Sequence, residues 1–416
     1  MNTRGVAAGI ISKWLKTGKF PDRLLQGVTS DHAFVMELVY GAVRWKRLLE
    51  WVVKRRAKRL PDVDAKALLF VGLYQILVMD DVELYAAVHE TVEASKKRCG
   101  KKTTGFINAI LRNAADNRDV IKEEIAALPV GVRLSHPDLL VERWKKRFGA
   151  GATGKLCIWN NSRPGVTIFA NKLIVSDAEL ENMWKETQIG YERVEAGLFN
   201  GFRIDGGRKI QDLPGYTEGA FIVADPSVAQ AVRLLDPKPG EHVLDACSAP
   251  GGKTVLIASL MQGQGRLVAR DIHQDRLDLL KNTLDRCKCR FVNVEKADAR
   301  KQRGSTGEFD KIIIDAPCTN TGVIRRRPDV RWRFSLKTLA KAVADQSAML
   351  DSLSVCLKPG GKLVYSTCSL EVEENTRLVD QWLKKNPEFK KTDEIKIVPP
   401  CNGSDGAYAA VLLREG

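Results

Sequence analysis

The sequence predicts a doubly wound α/β sheet in its C-terminal part, preceded by an all-helical domain and a small α+β module. Three observations predict it. From Pro226 onward, short apolar strand-like runs alternate with helical segments, the pattern of a parallel sheet covered by helices on both faces. From Arg4 to about Asn117 the apolar spacing is helical, with few strand signals. Between them, from about Leu134 to Ala224, one helical stretch is mixed with short strands. A length of 416 residues favours two or three domains, and the boundaries fall at 1–130, 131–224 and 225–416.

In the first domain the helical period is explicit in Leu38-Val39-x-x-x-Val43 and in Leu68-Leu69-x-x-Gly72-Leu73-x-x-Ile76-Leu77. Pro61 and Asp62 separate two helices, and the stretch from Thr103 to Arg112 predicts a helix behind a threonine cap. Asn108 and Arg112 then share a face, which packing and exposure explain as well as RNA contact does. The second region reads as a helix from Pro137 to Phe148 and strands at Val166 to Ala170 and Ala220 to Val223, with loops at Arg163-Pro164 and Gly206-Gly207. Nothing in it has catalytic spacing; RNA positioning and simple linkage are equally consistent with it.

The third region predicts helix Val228 to Leu235, strand His242 to Leu244, helix Thr254 to Met261, strand Arg266 to Arg270, helix Gln274 to Arg286 and strand Phe291 to Val294. Strand Lys311 to Ile314, helix Leu336 to Leu357, strand Lys362 to Tyr365 and a helix across Glu373 to Lys385 follow. Two of these strands run into cysteine-bearing stretches, Asp315-Ala316-Pro317-Cys318 and Ser366-Thr367-Cys368. Both thiols are therefore expected at one edge of the sheet, where such sheets bind ligands.

Composition narrows the function. Hydrophobic residues make up 44%, no run of eighteen apolar residues occurs, and Met1 to Ile10 lacks the apolar stretch of a secretion signal, so a cytoplasmic location is expected. Nine cysteines without a Cys-x-x-Cys pair do not form a disulfide framework. Cys287 and Cys289, with only His273 near, lack metal-ligand spacing, so no metal is expected. The formal charge of +15 points to a polyanion. Residues 1 to 120 hold 21 Lys and Arg against 13 Asp and Glu, concentrated in Lys54-Arg55-Arg56 with Lys58-Arg59 and in Lys96-Lys97-Arg98 with Lys101-Lys102. Such clusters bind nucleic-acid phosphates through counterion release, although a solvated helix face has the same composition.

The turn Asp245-Ala246-Cys247-Ser248-Ala249-Pro250-Gly251-Gly252-Lys253-Thr254 joins a strand to a helix. A P-loop requires glycine where Cys247 stands, and the dinucleotide spacing Gly-x-Gly-x-x-Gly is absent, so ATP and NAD are both disfavoured. A small-residue turn that lets backbone approach a different nucleoside cofactor remains. Asp271, at the end of the next strand, is placed to accept from ribose hydroxyls, and Asp298, after the third, to select an adenine amino group.

Asp245 to Thr254, Asp315 to Cys318 and Ser366 to Ser369 together resemble the signature segments of the S-adenosylmethionine-dependent RNA cytosine-5 methyltransferases, the Sun-type family. Leu38 to Trp45, Gly72 to Leu77, Ala86 to Glu90 and Gly105 to Asn113 resemble the NusB-like RNA-binding domain carried by its bacterial ribosomal branch. The resemblance implies a Rossmann-like methyltransferase sheet, S-adenosyl-L-methionine as cofactor, and a cytosine of 16S ribosomal RNA as substrate, acted on as RNA with little or no bound protein. No obligate protein partner is evident in the sequence, and nothing in it requires more than a monomer.

Carbon 5 of cytosine is a poor nucleophile, so such enzymes add a thiolate to carbon 6 and thereby load carbon 5 with electron density. By the resemblance Cys368 attacks and Cys318 assists release of the adduct. A free thiol has a pKa of about 8.5, and Lys253 is a candidate for the cation that activates the attacking one. Asp315 is assigned to the polar edge of the base and to the cofactor, beside Cys247, Ser248, Ala249, Pro250, Gly251, Gly252, Lys253, Asp271 and Asp298; Cys247 has no covalent role. Exocyclic N-methylation is disfavoured because the tetrad after the fourth strand closes on Cys318, and DNA cytosine methylation because Cys368 would have no counterpart. Arg325-Arg326-Arg327 predicts a phosphate-binding loop near a flipped base. The chain departs from the family at Asp405-Gly406-Ala407-Tyr408, where Asp-Gly-Phe-Phe is common, and at Ala224-Asp225, where Gln-Asp is usual. A function of another class, a non-catalytic RNA-binding assembly factor on the same scaffold, lacks a use for the cysteine pair.

Overall fold

The computed structural model describes residues 2–29, 31–57, 59–205, 209–301, 305–401 and 403–415; Lys58 of the first basic cluster and the Gly206-Gly207 loop lie outside them. The chain forms two compact units, Met1–Ser162 with Arg327–Arg333, and Arg163–Arg326 with Phe334–Gly416.

The first unit is helical: α1 (Thr3–Thr17), α2 (Pro21–Leu25), α3 (His32–Arg44), α4 (Lys46–Arg56), α5 (Val63–Leu77), α6 (Leu84–Lys96), α7 (Lys101–Asp116), α8 (Arg118–Ala126), α9 (Val130–Arg133) and α10 (Asp138–Asn161). α5 is apolar almost all round and is buried from Ala67 to Leu77, so it forms the axis on which α1, α3, α6 and α7 pack. Asp62 caps it, its side chain accepting from the Ala65 amide at 2.8 Å. The threonine cap expected for α7 is not formed: that helix begins two residues earlier, behind Gly100 and without a side-chain cap. The helix expected to end at Phe148 instead bends at Gly149 (φ 81°) and continues to Asn161.

The second unit opens with β1 (Val166–Ala170), α11 (Asp177–Glu186), β2 (Tyr191–Ala196), β3 (Phe199–Ile204) and β4 (Phe221–Val223). These strands form an antiparallel sheet in the order β2-β3-β1-β4, packed by Trp184, Phe202 and Phe221. Next come α12 (Pro226–Leu235), β5 (His242–Asp245), α13 (Gly252–Leu260), β6 (Arg266–Asp271), α14 (Gln274–Arg286), β7 (Val292–Lys296) and β8 (Phe309–Asp315). The chain then contributes α15 (Val330–Arg333) to the helical unit before α16 (Leu336–Ser354), β9 (Leu357–Thr367), α17 (Thr376–Leu383), β10 (Phe389–Ile397) and β11 (Ala407–Arg414).

The seven-stranded sheet has the order β10-β11-β9-β8-β5-β6-β7, with β5 to β9 parallel and β11 antiparallel to both β9 and β10. Successive strand residues pack on opposite sides. Val243, Ile313 and Val364 join the core under α12, α13 and α14, whereas Leu244, Ile312 and Leu363 join that under α16 and α17. The doubly wound expectation is met. The helix expected to reach Leu357 stops at Ser354, because Leu357 already pairs with Phe309 at the start of β9. The last predicted helix shrinks to Thr376–Leu383.

Within the helical unit Arg331 is fully buried. It donates to Ser135 O at 3.0 Å, Asn161 Oδ1 at 2.9 Å and Asn160 O at 3.1 Å. These are neutral acceptors, and burial with the nearby Arg44 pulls its guanidinium down to about 9.

Candidate functional site

β8 and β9 are parallel neighbours in which Asp315 pairs with Ser366, so the chain leaves both strands at the same edge of the sheet. Their two loops bring Cys318 Sγ and Cys368 Sγ to 3.4 Å. Gly322 N donates to Cys368 O at 2.9 Å, and a Cβ on Gly322 would lie 2.8 Å from that oxygen and 2.4 Å from Gly406 O. Only glycine allows three backbones to meet there. Glu374, fully buried, clamps the residue after each cysteine. It accepts from Thr319 N at 2.8 Å, from Gln346 Nε2 at 3.0 Å, and from the hydroxyls of Thr319 and Ser369. Burial raises the Glu374 carboxyl despite these donors. A hydrogen bond with Cys368, and then burial, push the Cys318 thiol well up.

Asn320 completes the pair of loops. It has the left-handed backbone (φ 58°, ψ 24°); its Nδ2 donates to Cys318 O at 2.7 Å, and the Cys368 thiol donates to its Oδ1 at 3.0 Å.

The glycine turn lies beyond β5, beside β8. Ser248 donates through its amide to Arg270 O at 2.9 Å and through its hydroxyl at 3.0 Å, and Gly251 N closes the turn on Ser248 O at 2.8 Å. Gly251 has φ 109°, a backbone that other residues rarely adopt, and caps the N-terminus of α13, where a Cβ would lie 2.9 Å from Leu280 Cδ1. Ala249 and Pro250 form the turn's crest, and Cys247, its thiol pushed up by burial, makes no covalent bond. Gly252 opens α13, where a Cβ would meet open space. Thr254 Oγ1 donates to Asp245 Oδ2 at 2.7 Å, and burial lifts the Asp245 carboxyl to about 7.

Lys253 Nζ pairs with Asp315 Oδ2 at 2.7 Å, while Ser366 Oγ donates to Asp315 Oδ1 at 3.0 Å. Burial works against the Lys253 charge, but Asp315, with smaller contributions from Asp245 and Cys368, outweighs it and holds the ammonium above its usual range. The lysine, the aspartate and the attacking-thiol candidate thus form one electrostatic cluster. Asp271 ends β6, buried; its Oδ1 accepts from His273 N at 3.0 Å, and Oδ2 lies 3.5 Å from Arg276 with no hydrogen-bond partner among the described residues. Asp298 follows β7 and is gripped by Arg300, whose Nε and Nη2 each donate at 2.9 Å. That fork pulls its carboxyl down to about 2.

The arginine loop is not a phosphate site at Arg325 and Arg326. Arg325 is buried and pairs with Asp405 at 3.2 Å, and Arg326 bridges Asp405 and Asp225, the latter at 2.9 Å. Their charge is already neutralised inside the fold, which corrects the sequence expectation; Arg327 alone of the three is exposed. Asp225 and Asp405 are the two places where the chain's flanking residues depart from the family, and their partner role carries no sequence signal of its own. Glu374 and Asn320 were also missed, since a carboxylate and an amide near a cysteine are ordinary in sequence.

In the helical unit, Lys54, Arg55, Arg59, Lys96, Lys97, Arg98, Lys101 and Lys102 are exposed. Asn108 is half-buried and Arg112 exposed. A groove of about 690 Å³ lies between α4 and α7, lined by Arg56, Arg59, Phe106 and Asn113. Cys287 and Cys289 are both buried, the Cys289 thiol donating to Cys287 O at 3.5 Å. No described helix is long and apolar enough to cross a membrane.

Residues 232–412 match the family described as 16S rRNA methyltransferase RsmB/F, and residues 1–116 match the NusB family. Over 100% of its length and 99% of the relative's, the chain is 32% identical to the ribosomal RNA small subunit methyltransferase B of Erwinia tasmaniensis. It is 29% identical, with the same coverage of both chains, to the probable ribosomal RNA small subunit methyltransferase B of Bacillus subtilis. The crystal structure of PH0851 is similar with a TM-score of 0.82 at 25% identity, covering 100% of this chain and 99% of that one.

Proposed function

The chain belongs to the RsmB/F family of 16S rRNA methyltransferases, and we propose that it methylates carbon 5 of a cytosine in 16S ribosomal RNA, using S-adenosylmethionine and a covalent cysteine adduct at carbon 6. The observation that carries this reading is the pair of thiols 3.4 Å apart at adjoining strand ends, beside the Lys253–Asp315 pair. The glycine turn and the buried Asp271 Oδ2, which lacks a hydrogen-bond partner, fit a nucleoside with free ribose hydroxyls. When bound, S-adenosylmethionine supplies a methyl group on a sulfonium.

The residues then divide the work. Cys368, as thiolate, forms a bond to carbon 6, and the electron pair of the 5,6 double bond moves toward carbon 5 and the polar edge of the base. Asp315 faces that edge, and Lys253 balances the negative charge that develops there. Carbon 5 gains the methyl and must lose its proton. Cys318, adjacent to the Cys368 sulfur, assists as the base that takes that proton in its thiolate form, while the double bond reforms and the carbon–sulfur bond breaks to return Cys368 as thiolate. Asp298, held by Arg300 through its backbone amide, Nε and Nη2, keeps one acceptor site on Oδ2 for an adenine amino group. Residues 1–130 bring the RNA, 131–224 link the other two regions or position the RNA, and 225–416 carry the chemistry, in a cytoplasmic monomer.

Incubation with radiolabelled S-adenosylmethionine and unmodified 16S RNA tests the reaction; RNA left unlabelled under conditions of proven cofactor binding sinks the enzyme reading in favour of an assembly factor. Cys318→Ala is expected to accumulate a protein–RNA adduct that survives denaturing electrophoresis, and Cys368→Ala to form none. The reverse pattern would exchange the two roles.

A further inference from the structure

We infer that Asn320 is a positioning residue for the reaction: it aims the Cys368 sulfur and ties it to the Cys318 backbone. The inference rests on the cysteine roles proposed above. Its backbone lies in the left-handed region, at φ 58° and ψ 24°. Side chains other than those of asparagine and aspartate rarely adopt that conformation, and glycine takes it freely. Glycine would satisfy the turn, so the amide is the part of Asn320 that the backbone does not require.

That amide joins both cysteine loops. Donation from Nδ2 to Cys318 O at 2.7 Å fixes which way the amide faces, because only the nitrogen can donate to a carbonyl. Oδ1 is thereby turned to the Cys368 thiol at 3.0 Å, so the bond orients the sulfur in its protonated form, before the proton is lost and the thiolate adds to carbon 6. A cysteine sulfur otherwise swings among three staggered positions about its single side-chain torsion. Here it is held between an amide oxygen and a second sulfur 3.4 Å away. Reaction rates depend steeply on such placement, and a misplacement of about 1 Å can cost about a hundredfold.

Asn320→Gly is the informative variant, since it keeps the left-handed backbone and removes only the amide. Single-turnover methyl transfer to unmodified 16S RNA is expected to slow by between about tenfold and a hundredfold, with burst amplitude, cofactor Kd and Tm near those of the parent. Asn320→Asp keeps the same backbone tolerance but replaces the donor facing Cys318 O with a carboxylate oxygen, and is expected to slow transfer at least as much; it decides the matter if the glycine variant does not fold. A parent-like rate in a folded variant overturns the inference, as does a reduced amplitude at an unchanged rate, which marks a purely structural role. The adduct trap is read separately in the two cysteine variants: if Cys368→Ala accumulates the adduct and Cys318→Ala does not, the cysteine assignment fails whatever Asn320 does.

Discussion

Asp245 ends β5 with one carboxylate oxygen held by Thr254 and the other, Oδ1, buried without a hydrogen-bond partner among the described residues. Burial raises its carboxyl to about 7, with Asp315 adding to the effect and the Thr254 hydroxyl opposing it. In an unfolded chain an aspartate titrates near about 3.9. Between these values the folded protein holds a proton that the unfolded chain has released, so stability falls as pH rises from about 4 to about 7 and is level above that. Asp245→Asn, which still accepts from Thr254, is expected to flatten this slope. Urea unfolding of both proteins across that range measures it; equal slopes would place the titration elsewhere. Other residues at this scale act through geometry. Glu374 reaches the residue after each cysteine, so one buried carboxylate sets the relation between two loops.

At the scale of elements, the loop after β8 changes character along its length. Cys318 to Gly322 face the β9 loop, and Arg325 and Arg326 then anchor the chain on Asp405 and Asp225. Buried ion pairs are costly to break from one side, because the remaining charge stays desolvated. Asp405→Asn is accordingly expected to destabilise the protein by on the order of 3 kcal/mol, in chemical unfolding monitored by circular dichroism. Affinity of the folded variant for RNA should match the parent's. A large loss of RNA affinity without loss of stability would return these arginines to the phosphate role.

The whole molecule is strongly basic, with a formal net charge of +15 and exposed clusters on the helical unit. Affinity for RNA should therefore fall steeply with salt. Replacing Lys96, Lys97, Lys101 and Lys102 by glutamine is expected to lower the slope of log affinity against log salt by up to about 3, at about 0.7 per lost phosphate contact to single-stranded RNA. Fluorescence anisotropy on a 16S RNA fragment over a salt series reads this directly. An unchanged slope would make those lysines a solvated face and move the RNA path elsewhere on the molecule.

The alternation of strands and helices from Pro226, the central α5 and the glycine turn were legible in the sequence because each depends on residues close together in the chain. So was the delivery of Cys318 and Cys368 to one edge, since each follows its own strand. Helix ends were less legible: α16 stops at Ser354 because β9 begins sooner than the apolar run suggests, in answer to Phe309. Only the tertiary structure decided which charges are spent. An arginine in sequence is the same whether it faces solvent or lies against Asp405, and the 79 residues separating Arg326 from that partner leave no local pattern to distinguish the two. Asn320 and Glu374 belong to the same class. Their importance lies in bonds across adjacent strand ends, and strand order is a property of the packed sheet, not of any one segment's periodicity.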